Sequence, residues 1–204
     1  MPYDPTIYLG SAAHYRHGRP AYSPELEAVL THRAGLDGNG RLLDAGCGPG
    51  VLTIRLAPLF AQAVGLDPDA AMLAEGCRVA GETRVVNIQW VQGLAEDLPA
   101  VAPGPYRLVT FGQSFHWTDE QQVAETVYDM LEPGGALALI VHTVAGRPRP
   151  PGPGAPRCGC CWRTVRPRVS SGTGQATPRW YWPASPAEQA ALASVVVFQA
   201  ILRR

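Results

Sequence analysis

The chain has 204 residues, 46% of them hydrophobic, which suits one globular domain with a buried core. Its formal charge is zero, yet residues 1–147 carry 16 acidic side chains and 9 arginines, whereas residues 148–204 carry one acidic side chain and 8 arginines. No apolar run approaches the roughly 18 residues of a membrane span, and the N-terminal residues have neither the basic nor the apolar part of a signal peptide, so we expect a cytoplasmic protein.

The five cysteines are odd in number and unevenly spaced, which argues against a secreted disulfide framework. Cys47 and Cys77 are best interpreted as small buried hydrophobic residues. Cys158, Cys160 and Cys161 lack the C-x₂-C spacing of a zinc site and have no nearby histidine, so no metal is predicted.

The N-terminal segment predicts a short helix over residues 7–16 and a second helix after a loop. Ser23 is the expected N-cap of this second helix, with Pro24 at its first position, and the helix continues to Gly35. Since this segment precedes the first strand, it could lie across an open ligand site as a lid.

From Arg41 onward, short apolar segments alternate with amphipathic ones. Five strands are predicted, at 42–45, 64–67, 85–91, 108–111 and 136–141, with helices after the first strand, over 69–80, and from a Thr118–Gln121 capping box through Met130. Strands without polar alternation, separated by helices, indicate an α/β fold: a Rossmann-like, doubly wound, mostly parallel sheet. Ligands of such sheets bind beyond the carboxyl ends of the strands.

The first strand leads into a glycine-rich turn, Asp44-Ala45-Gly46-Cys47-Gly48-Pro49-Gly50. Glycine tolerates positive φ and close ligand approach, so this turn indicates a nucleotide-like ligand. Asp67 ends the second strand 21 positions after Gly46, near the spacing at which an acid meets a bound ribose.

After residue 147 the pattern changes to Arg, Pro, Gly, Cys and Trp. We therefore divide the chain into a domain over 1–147 and a tail over 148–204 that is either disordered or aberrant, for example through a frameshift near residue 155. A capping box at Ser185–Glu188 predicts a helix over 186–203 at the end of this tail.

Several stretches together resemble the class I S-adenosylmethionine-dependent methyltransferases. They are the glycine turn, Gly65-Leu66-Asp67-Pro68, Gly93-Leu94-Ala95-Glu96-Asp97-Leu98-Pro99 and Leu131-Glu132-Pro133-Gly134-Gly135. Arg19-Pro20-Ala21-Tyr22 and Gln113-Ser114-Phe115-His116-Trp117 are similar to a small-molecule branch that includes trans-aconitate methyltransferase-like proteins. The hairpin that ends the family's sheet is not recognisable here.

The resemblance implies S-adenosylmethionine as cofactor and a role for each matching residue. Asp67 would accept hydrogen bonds from both ribose hydroxyls, and Asp44 would brace the glycine turn or contact the ammonium group, unless it only caps the following helix. The other implied cofactor-binding residues are Gly46, Gly48 and Gly50 at the methionine and ribose, Ala95 and Glu96 at the adenine, Tyr15 and Arg19 at the carboxylate, and Gln113. Many relatives have an acid where this chain has Leu94.

Methyl transfer from a sulfonium depends mainly on alignment, which supplies roughly 7–11 kcal/mol, against about 3–5 kcal/mol for a general base. His116 is the candidate base; otherwise it shapes the acceptor pocket together with Trp117. The predicted partner is a small-molecule methyl acceptor, with oxygen favoured as the attacking atom.

Three other functions remain open. An NAD-dependent oxidoreductase is disfavoured because position 51, where its motif has a third glycine, is Val51. The arginine-rich tail could bind nucleic acid, although the acidic domain makes this the weaker interpretation. The chain could also be an inactive or truncated methyltransferase-like protein.

Overall fold

The computed structural model describes residue 12, residues 21–140 and the backbone of residues 197–203. Its described strands form one six-stranded sheet in the order β3-β2-β1-β4-β5-β6. The first five strands are parallel, and β6 is antiparallel to β5. The strand bounds are β1 Arg41–Ala45, β2 Gln62–Asp67, β3 Ile88–Gln92, β4 Tyr106–Gly112, β5 Leu131–Ile140 and β6 Val197–Arg203.

One helix precedes β1, and three helices connect β1 to β2, β2 to β3 and β4 to β5. They are α1 Leu26–Ala34, α2 Val51–Leu56, α3 Ala70–Glu82 and α4 Glu120–Met130, with short 3₁₀ turns at Ala57–Leu59, Ala95–Asp97 and Phe115–Trp117. Asp69 caps α3 by accepting hydrogen bonds from the backbone N–H groups of Ala71 and Met72. Among the described residues, no helix is long and apolar enough to cross a membrane.

The central strand β1 is buried on both faces of the sheet. Leu43 packs into one apolar cluster with Val109 of β4, and Leu42 packs into the opposite cluster with Leu108. Since successive side chains of a strand point to opposite faces, this arrangement explains the lack of polar alternation in the sequence. The predicted α/β class and parallel sheet are confirmed. Cys47 is buried as predicted, whereas the prediction for Cys77 is wrong, because this residue lies on an exposed side of α3.

Two predicted N-caps are wrong. Helix α1 begins at Leu26, after a turn in which the Ser23 hydroxyl accepts a 3.3 Å hydrogen bond from the N–H of Glu25. In α4 the cap is Asp119 rather than Thr118, because the Thr118 hydroxyl donates to Phe115 O at 2.8 Å and so closes the preceding 3₁₀ turn.

All five predicted strands differ in at least one bound from those observed: β1 and β2 begin one and two residues earlier, and the larger differences are at β3, β4 and β5. Strand β3 begins at Ile88 because the N–H of Val85 still bonds to Ala80 O at the end of α3. Strand β4 is longer at both ends than the predicted 108–111. Strand β5 begins at Leu131, and the predicted turn at Pro133–Gly135 falls where its pairing with β4 shifts register.

The helix predicted over 186–203 is wrong for its last seven residues, which form β6. The backbone of this strand pairs with the open edge of β5, at Leu137 and Ala138 among other positions. A strand satisfies the unpaired N–H and C=O groups of that edge, which a helix would not do. The β-branched run that leads into β6 favours the same outcome. The other residues of the tail lie outside the described residues. Of the helix predicted over 7–16, only residue 12 is described.

Candidate active site

A cavity opens at the carboxyl ends of β1, β2, β3 and β4, where the parallel sheet predicts a ligand. Its wall combines backbone of the glycine turn with side chains that follow the neighbouring strands. The lining residues are Gly46, Gly48, Asp67, Pro68, Asp69, Met72, Gly93, Leu94, Ala95, Glu96, Phe111, Gly112, Gln113, Ser114, Trp117 and Thr118.

The glycine turn is hydrogen-bonded to the neighbouring strand β2. The N–H groups of Gly46 and Cys47 both donate to Leu66 O, at 2.7 and 3.0 Å. Gly46 has φ +66°, and a β-carbon there would lie only 2.4 Å from Cβ of Ser114. Glycine is therefore required at this position by the backbone conformation and by the turn after β4, whether or not a ligand is present.

The ring of Trp90 in β3 requires a glycine at position 50, the third glycine of the turn. A β-carbon on Gly50 would lie 2.3 Å from Cη2 of the Trp90 ring, and β-carbons on Gly65 and Gly76 would lie 2.8 Å from the same ring. Three glycines from three elements thus make room for one indole. Gly50 is buried against protein and is not among the cavity-lining residues.

Asp67 is held at the cavity wall by two backbone donors. Its Oδ2 accepts a 2.7 Å hydrogen bond from the N–H of Gly48, and its Oδ1 accepts a 2.9 Å bond from the N–H of Asp69. Each oxygen keeps a second lone pair for a ligand hydroxyl. Burial raises the pKa of this carboxyl above its ordinary value, although the two N–H groups act in the opposite direction.

Asp44 lies one strand away and faces protein instead. It is 1% exposed, and it accepts hydrogen bonds from the hydroxyls of Thr53, at 2.6 Å, and Thr110, at 2.8 Å. Burial raises its pKa to about 6, against the lowering effect of both threonines. Asp44 therefore links β1 to α2 and β4, and it does not line the cavity.

The loop after β3 closes the side of the cavity beyond β2. Ala95 and Glu96 line the wall in a 3₁₀ turn, and the turn is capped by Asp97, whose Oδ2 accepts from the N–H of Leu94 at 3.0 Å. Glu96 Oε1 also accepts a 2.8 Å hydrogen bond from the N–H of Asp119. This contact ties the loop to the start of α4.

The turn after β4 forms the opposite side. Gln113 and Ser114 line the cavity, and the Ser114 hydroxyl donates to Ala45 O at 2.7 Å. His116 is exposed, and its ring lies tilted by 42° against that of Trp117, with centroids 5.0 Å apart; only Trp117 of this pair lines the cavity. Tyr15 and Arg19 lie outside the described residues.

The charged residues that line the described part of the cavity are all acidic: Asp67, Asp69 and Glu96. This wall favours a ligand with positive charge, such as a sulfonium or an ammonium group. No group of three or more metal-ligating side chains occurs among residues 21–140.

Residues 42–135 match a protein-family model described as a methyltransferase domain. The match and the fold support a class I S-adenosylmethionine-dependent methyltransferase domain over these residues. An uncharacterized methyltransferase of Mycobacterium tuberculosis is 34% identical over 141 residues, which cover 69% of this chain and 54% of that protein. The trans-aconitate 2-methyltransferase of Deinococcus radiodurans is 32% identical over 130 residues, covering 62% and 46% of the two chains.

Solved structures agree with the methyltransferase fold. The YcgJ protein of Bacillus subtilis has a TM-score of 0.52 and 25% identity, covering 58% of this chain and 50% of that one. A putative S-adenosylmethionine-dependent methyltransferase from Methanococcus maripaludis has a TM-score of 0.51 and 25% identity, covering 65% and 58%. The chain spans about half the length of the curated relatives named above.

Sequence reasoning missed some of the wall of this methyltransferase domain. Asp69, Met72 and Phe111 line the cavity without having been predicted. Asp69 carried a usable signal, because an acid two residues after the end of β2 must lie near Asp67. The contacts of Met72 and Phe111 depend on how α3 and β4 pack, which local sequence does not encode.

Proposed function

We propose that the domain binds S-adenosylmethionine and transfers its methyl group to a small-molecule acceptor. The observation that carries this proposal is Asp67, a carboxylate fixed by two backbone N–H groups, with free lone pairs at the cavity wall. Such a group suits the vicinal hydroxyls of a ribose, which can donate one hydrogen bond to each oxygen. Asp67 needs no side-chain movement to do so.

The ribose contact at Asp67 would determine where the other parts of the cofactor lie. Ala95 and Glu96, beyond β2, would border the adenine, whereas Gly46 and Gly48, on the β1 side, would face the amino-acid end. The acidic wall complements the positive sulfonium and ammonium groups. Gly50 and Asp44 would not contact the cofactor. Gly50 would fix the glycine turn by making room for Trp90, and Asp44 would fix it through its hydrogen bonds with Thr53 and Thr110.

The bound cofactor would supply an electrophilic methyl group, with S-adenosylhomocysteine as the leaving group, and the domain would supply alignment. Asp67, the glycine turn and the Ala95–Glu96 turn would hold the cofactor in a fixed position relative to the acceptor. Alignment of this kind contributes roughly 7–11 kcal/mol to lowering the barrier. A rigid wall made of strand ends and short turns is suited to that task.

We favour an oxygen nucleophile on a small molecule. Relatives of known reaction class include the trans-aconitate 2-methyltransferase and a ubiquinone biosynthesis O-methyltransferase of Acinetobacter baumannii, which is 32% identical over 107 residues. A tRNA 5-carboxymethoxyuridine methyltransferase of Escherichia coli is 31% identical over 109 residues. The acidic cavity lining supports the small molecule, because the described residues that line the cavity include no basic side chain to contact a phosphate backbone.

His116 is the weaker part of the proposal. Its exposed position beside Trp117, off the cavity wall, suits a role at the acceptor entrance better than proton abstraction from a bound acceptor. A carboxylate acceptor would need no base. If His116→Gln left turnover unchanged across pH 6–9, the general-base role would be excluded.

Calorimetry on the full chain tests cofactor binding directly. We expect S-adenosylmethionine and S-adenosylhomocysteine to bind, and NADH to give no heat. Binding of NADH in place of S-adenosylhomocysteine would support the oxidoreductase instead. Absence of all binding would favour an inactive methyltransferase-like protein.

A second measurement tests the acceptor class. The chain is incubated with methyl-labelled S-adenosylmethionine and either a panel of small carboxylates and phenols or total RNA. We expect label in the small molecules. Label in RNA, together with a salt-dependent gel shift, would overturn the small-molecule assignment and favour nucleic acid as the substrate.

A further inference from the structure

Arg55 of α2 binds a part of the chain that precedes the sheet. Its Nη1 donates a 2.9 Å hydrogen bond to Tyr22 O, and its Nη2 donates to Ser23 O at 2.8 Å and to Pro24 O at 3.1 Å. Its Nε also forms a 2.6 Å ion pair with Glu27 of α1. One guanidinium therefore holds three successive backbone carbonyls and one side chain that lie 28 to 33 residues away in sequence.

A second arginine shows what is unusual about these contacts. Arg78 of α3 has a side chain that is 52% exposed, and it pairs with Glu75 and Glu82 of its own helix. Pairs of this kind, three or four residues apart, support only the local helix. The side chain of Arg55 is 24% exposed, and its planar fork of donors matches the carbonyls of an irregular segment. Its contacts therefore join two separate parts of the fold.

The segment held by Arg55 places Tyr22 beside the cavity wall. Gly112 ends β4 and lines the cavity. A β-carbon on Gly112 would lie 2.6 Å from Oη of Tyr22 and 3.2 Å from Cδ2 of Leu52. Tyr22 also packs against the apolar cluster that contains Leu42. The tyrosine thus fills the space that a side chain at position 112 would need.

Helix α2 joins this contact to the glycine turn. The helix begins directly after Gly50, and the N–H of Ile54 donates a 2.8 Å hydrogen bond to Gly50 O. Arg55 is the next residue of the helix, so its backbone has a fixed position relative to the glycine turn. Through its side chain the same helix holds Tyr22 against Gly112. The walls of the cavity that follow β1 and β4 are thus held relative to each other by contacts outside the cavity.

We propose that Arg55 is a positioning residue for the cofactor site, which keeps Tyr22 against Gly112 and so fixes the wall after β4 relative to the glycine turn. The proposal rests on the proposed function, because it needs a cofactor that lies against these walls. Neither Arg55 nor Tyr22 is among the described residues that line the cavity, so both act through Gly112. A wall that is fixed before binding does not have to be ordered by the ligand, which favours affinity.

Calorimetry with S-adenosylhomocysteine on the full chain, well below its unfolding temperature, tests the role of Arg55. The variants are Arg55→Met, which removes all four contacts, Arg55→Lys, which keeps the charge without the planar fork, and Glu27→Gln, which removes only the ion pair. Arg78→Met is the matched control on α3. Thermal unfolding of each variant without ligand is measured alongside.

We expect Arg55→Met to bind S-adenosylhomocysteine about 5- to 20-fold more weakly than wild type, because binding must then order the segment and the wall beside it. Arg55→Lys should lie between the two, since an ammonium group lacks the fork that reaches several carbonyls. Glu27→Gln and Arg78→Met should stay within about two-fold of wild type, because each removes only partly exposed ion pairs.

A double-mutant cycle tests whether Arg55 acts through the tyrosine. Tyr22→Leu should weaken binding of S-adenosylhomocysteine, because the shorter side chain leaves the space beside Gly112 unfilled. Arg55→Met combined with Tyr22→Leu should then bind no more than about two-fold more weakly than Tyr22→Leu alone, since the second change removes the group that the first one positions.

A compensating pair tests the contact at Gly112 itself. Gly112→Ala should weaken binding, because its β-carbon would meet Oη of Tyr22 at 2.6 Å and displace the ring. Tyr22→Phe removes that oxygen and leaves Cζ of the ring 3.6 Å from the β-carbon. The double variant should bind at least about three-fold more tightly than Gly112→Ala alone, a rescue that general destabilisation would not produce.

Three outcomes would overturn the proposal while the proposed function stands. If Arg55→Met binds S-adenosylhomocysteine within two-fold of wild type and only its unfolding temperature falls, Arg55 supports the fold and not the site. Fully additive losses for Arg55→Met and Tyr22→Leu would show that Arg55 does not act through Tyr22. Absence of rescue in the double variant at position 112 would remove the contact on which the proposal depends.

Two further results also decide the matter. If Arg55→Met does not fold, wild-type affinity in Arg55→Lys together with no rescue at position 112 would reject the proposal, and reduced affinity with rescue would support it. If wild type itself binds no S-adenosylhomocysteine, the proposal and the proposed function fail together.

Discussion

Asp44 and Asp67 belong to neighbouring parallel strands, and burial raises the pKa of both, yet they face different surroundings. Asp44 is enclosed by two threonine hydroxyls that belong to α2 and β4. Asp67 is held by two backbone N–H groups and keeps one side toward the cavity. A raised pKa therefore does not tell a functional carboxylate from a structural one.

The two carboxylates differ in how much hydrogen-bonding capacity they keep for a ligand. Backbone N–H groups fix the position of Asp67 without using all of its lone pairs, so it is a prepared acceptor for a ligand. The threonine hydroxyls serve Asp44 within the protein, and Asp44 does not line the cavity. Variants of the two residues should consequently separate binding from stability.

The largest expected effect is on cofactor binding by Asp67→Asn. The carboxamide has a single acceptor oxygen and no charge, so it cannot accept from two backbone N–H groups and two ribose hydroxyls. We expect at least about 100-fold weaker binding of S-adenosylhomocysteine, or about 3 kcal/mol, by calorimetry at pH 7.5. An affinity within three-fold of wild type would remove Asp67 from the cofactor site.

The same substitution at the other carboxylate, Asp44→Asn, should change the stability of the domain and leave cofactor binding unchanged. At pH 7.5 the ionised Asp44 is a buried charge, and the neutral carboxamide can both donate to and accept from the threonine hydroxyls. A pKa of about 6 against an ordinary 3.8 predicts that this variant is more stable than wild type by about 2–3 kcal/mol in urea unfolding. Its affinity for S-adenosylhomocysteine should stay within three-fold of wild type; a loss like that of Asp67→Asn would contradict the assignment.

Removal of one hydroxyl should have a somewhat smaller effect. Thr110→Val keeps the shape of the side chain but takes away the 2.8 Å hydrogen bond to Asp44 Oδ1. We expect a loss of about 2 kcal/mol in the wild-type background, where the acceptor is charged, and about 1 kcal/mol in Asp44→Asn, where it is neutral. Equal losses in both backgrounds, measured as a double-mutant cycle, would show that Thr110 does not stabilise the carboxylate.

The sequence was sufficient to predict the architecture and the cavity-facing positions that directly follow strands. Gly46, Gly48, Asp67, Ala95, Glu96 and Gln113 do line the cavity, because parallel strands bring their carboxyl ends to one edge. The sequence could not show that Gly50 makes room for Trp90, or that Asp44 bonds two threonines, since both depend on tertiary packing. Strand β6 was missed for a similar reason, because its pairing is with a distant strand.

The smallest expected effect is the pH dependence of the stability difference between Asp44→Asn and wild type. Because the folded-state pKa of Asp44 lies above its unfolded value, its contribution to stability is fully present below about pH 3.8 and is lost as the pH rises through about 6. The advantage of Asp44→Asn should therefore shrink by about 1 kcal/mol between pH 7 and pH 5. Urea unfolding of both proteins at the two pH values measures this change directly, and the shifts of groups that do not interact with Asp44 cancel in the difference. A stability advantage that is equal at both pH values would mean that Asp44 ionises in the folded state as it does in the unfolded chain. The two carboxylates would then differ only in the geometry of their hydrogen bonds.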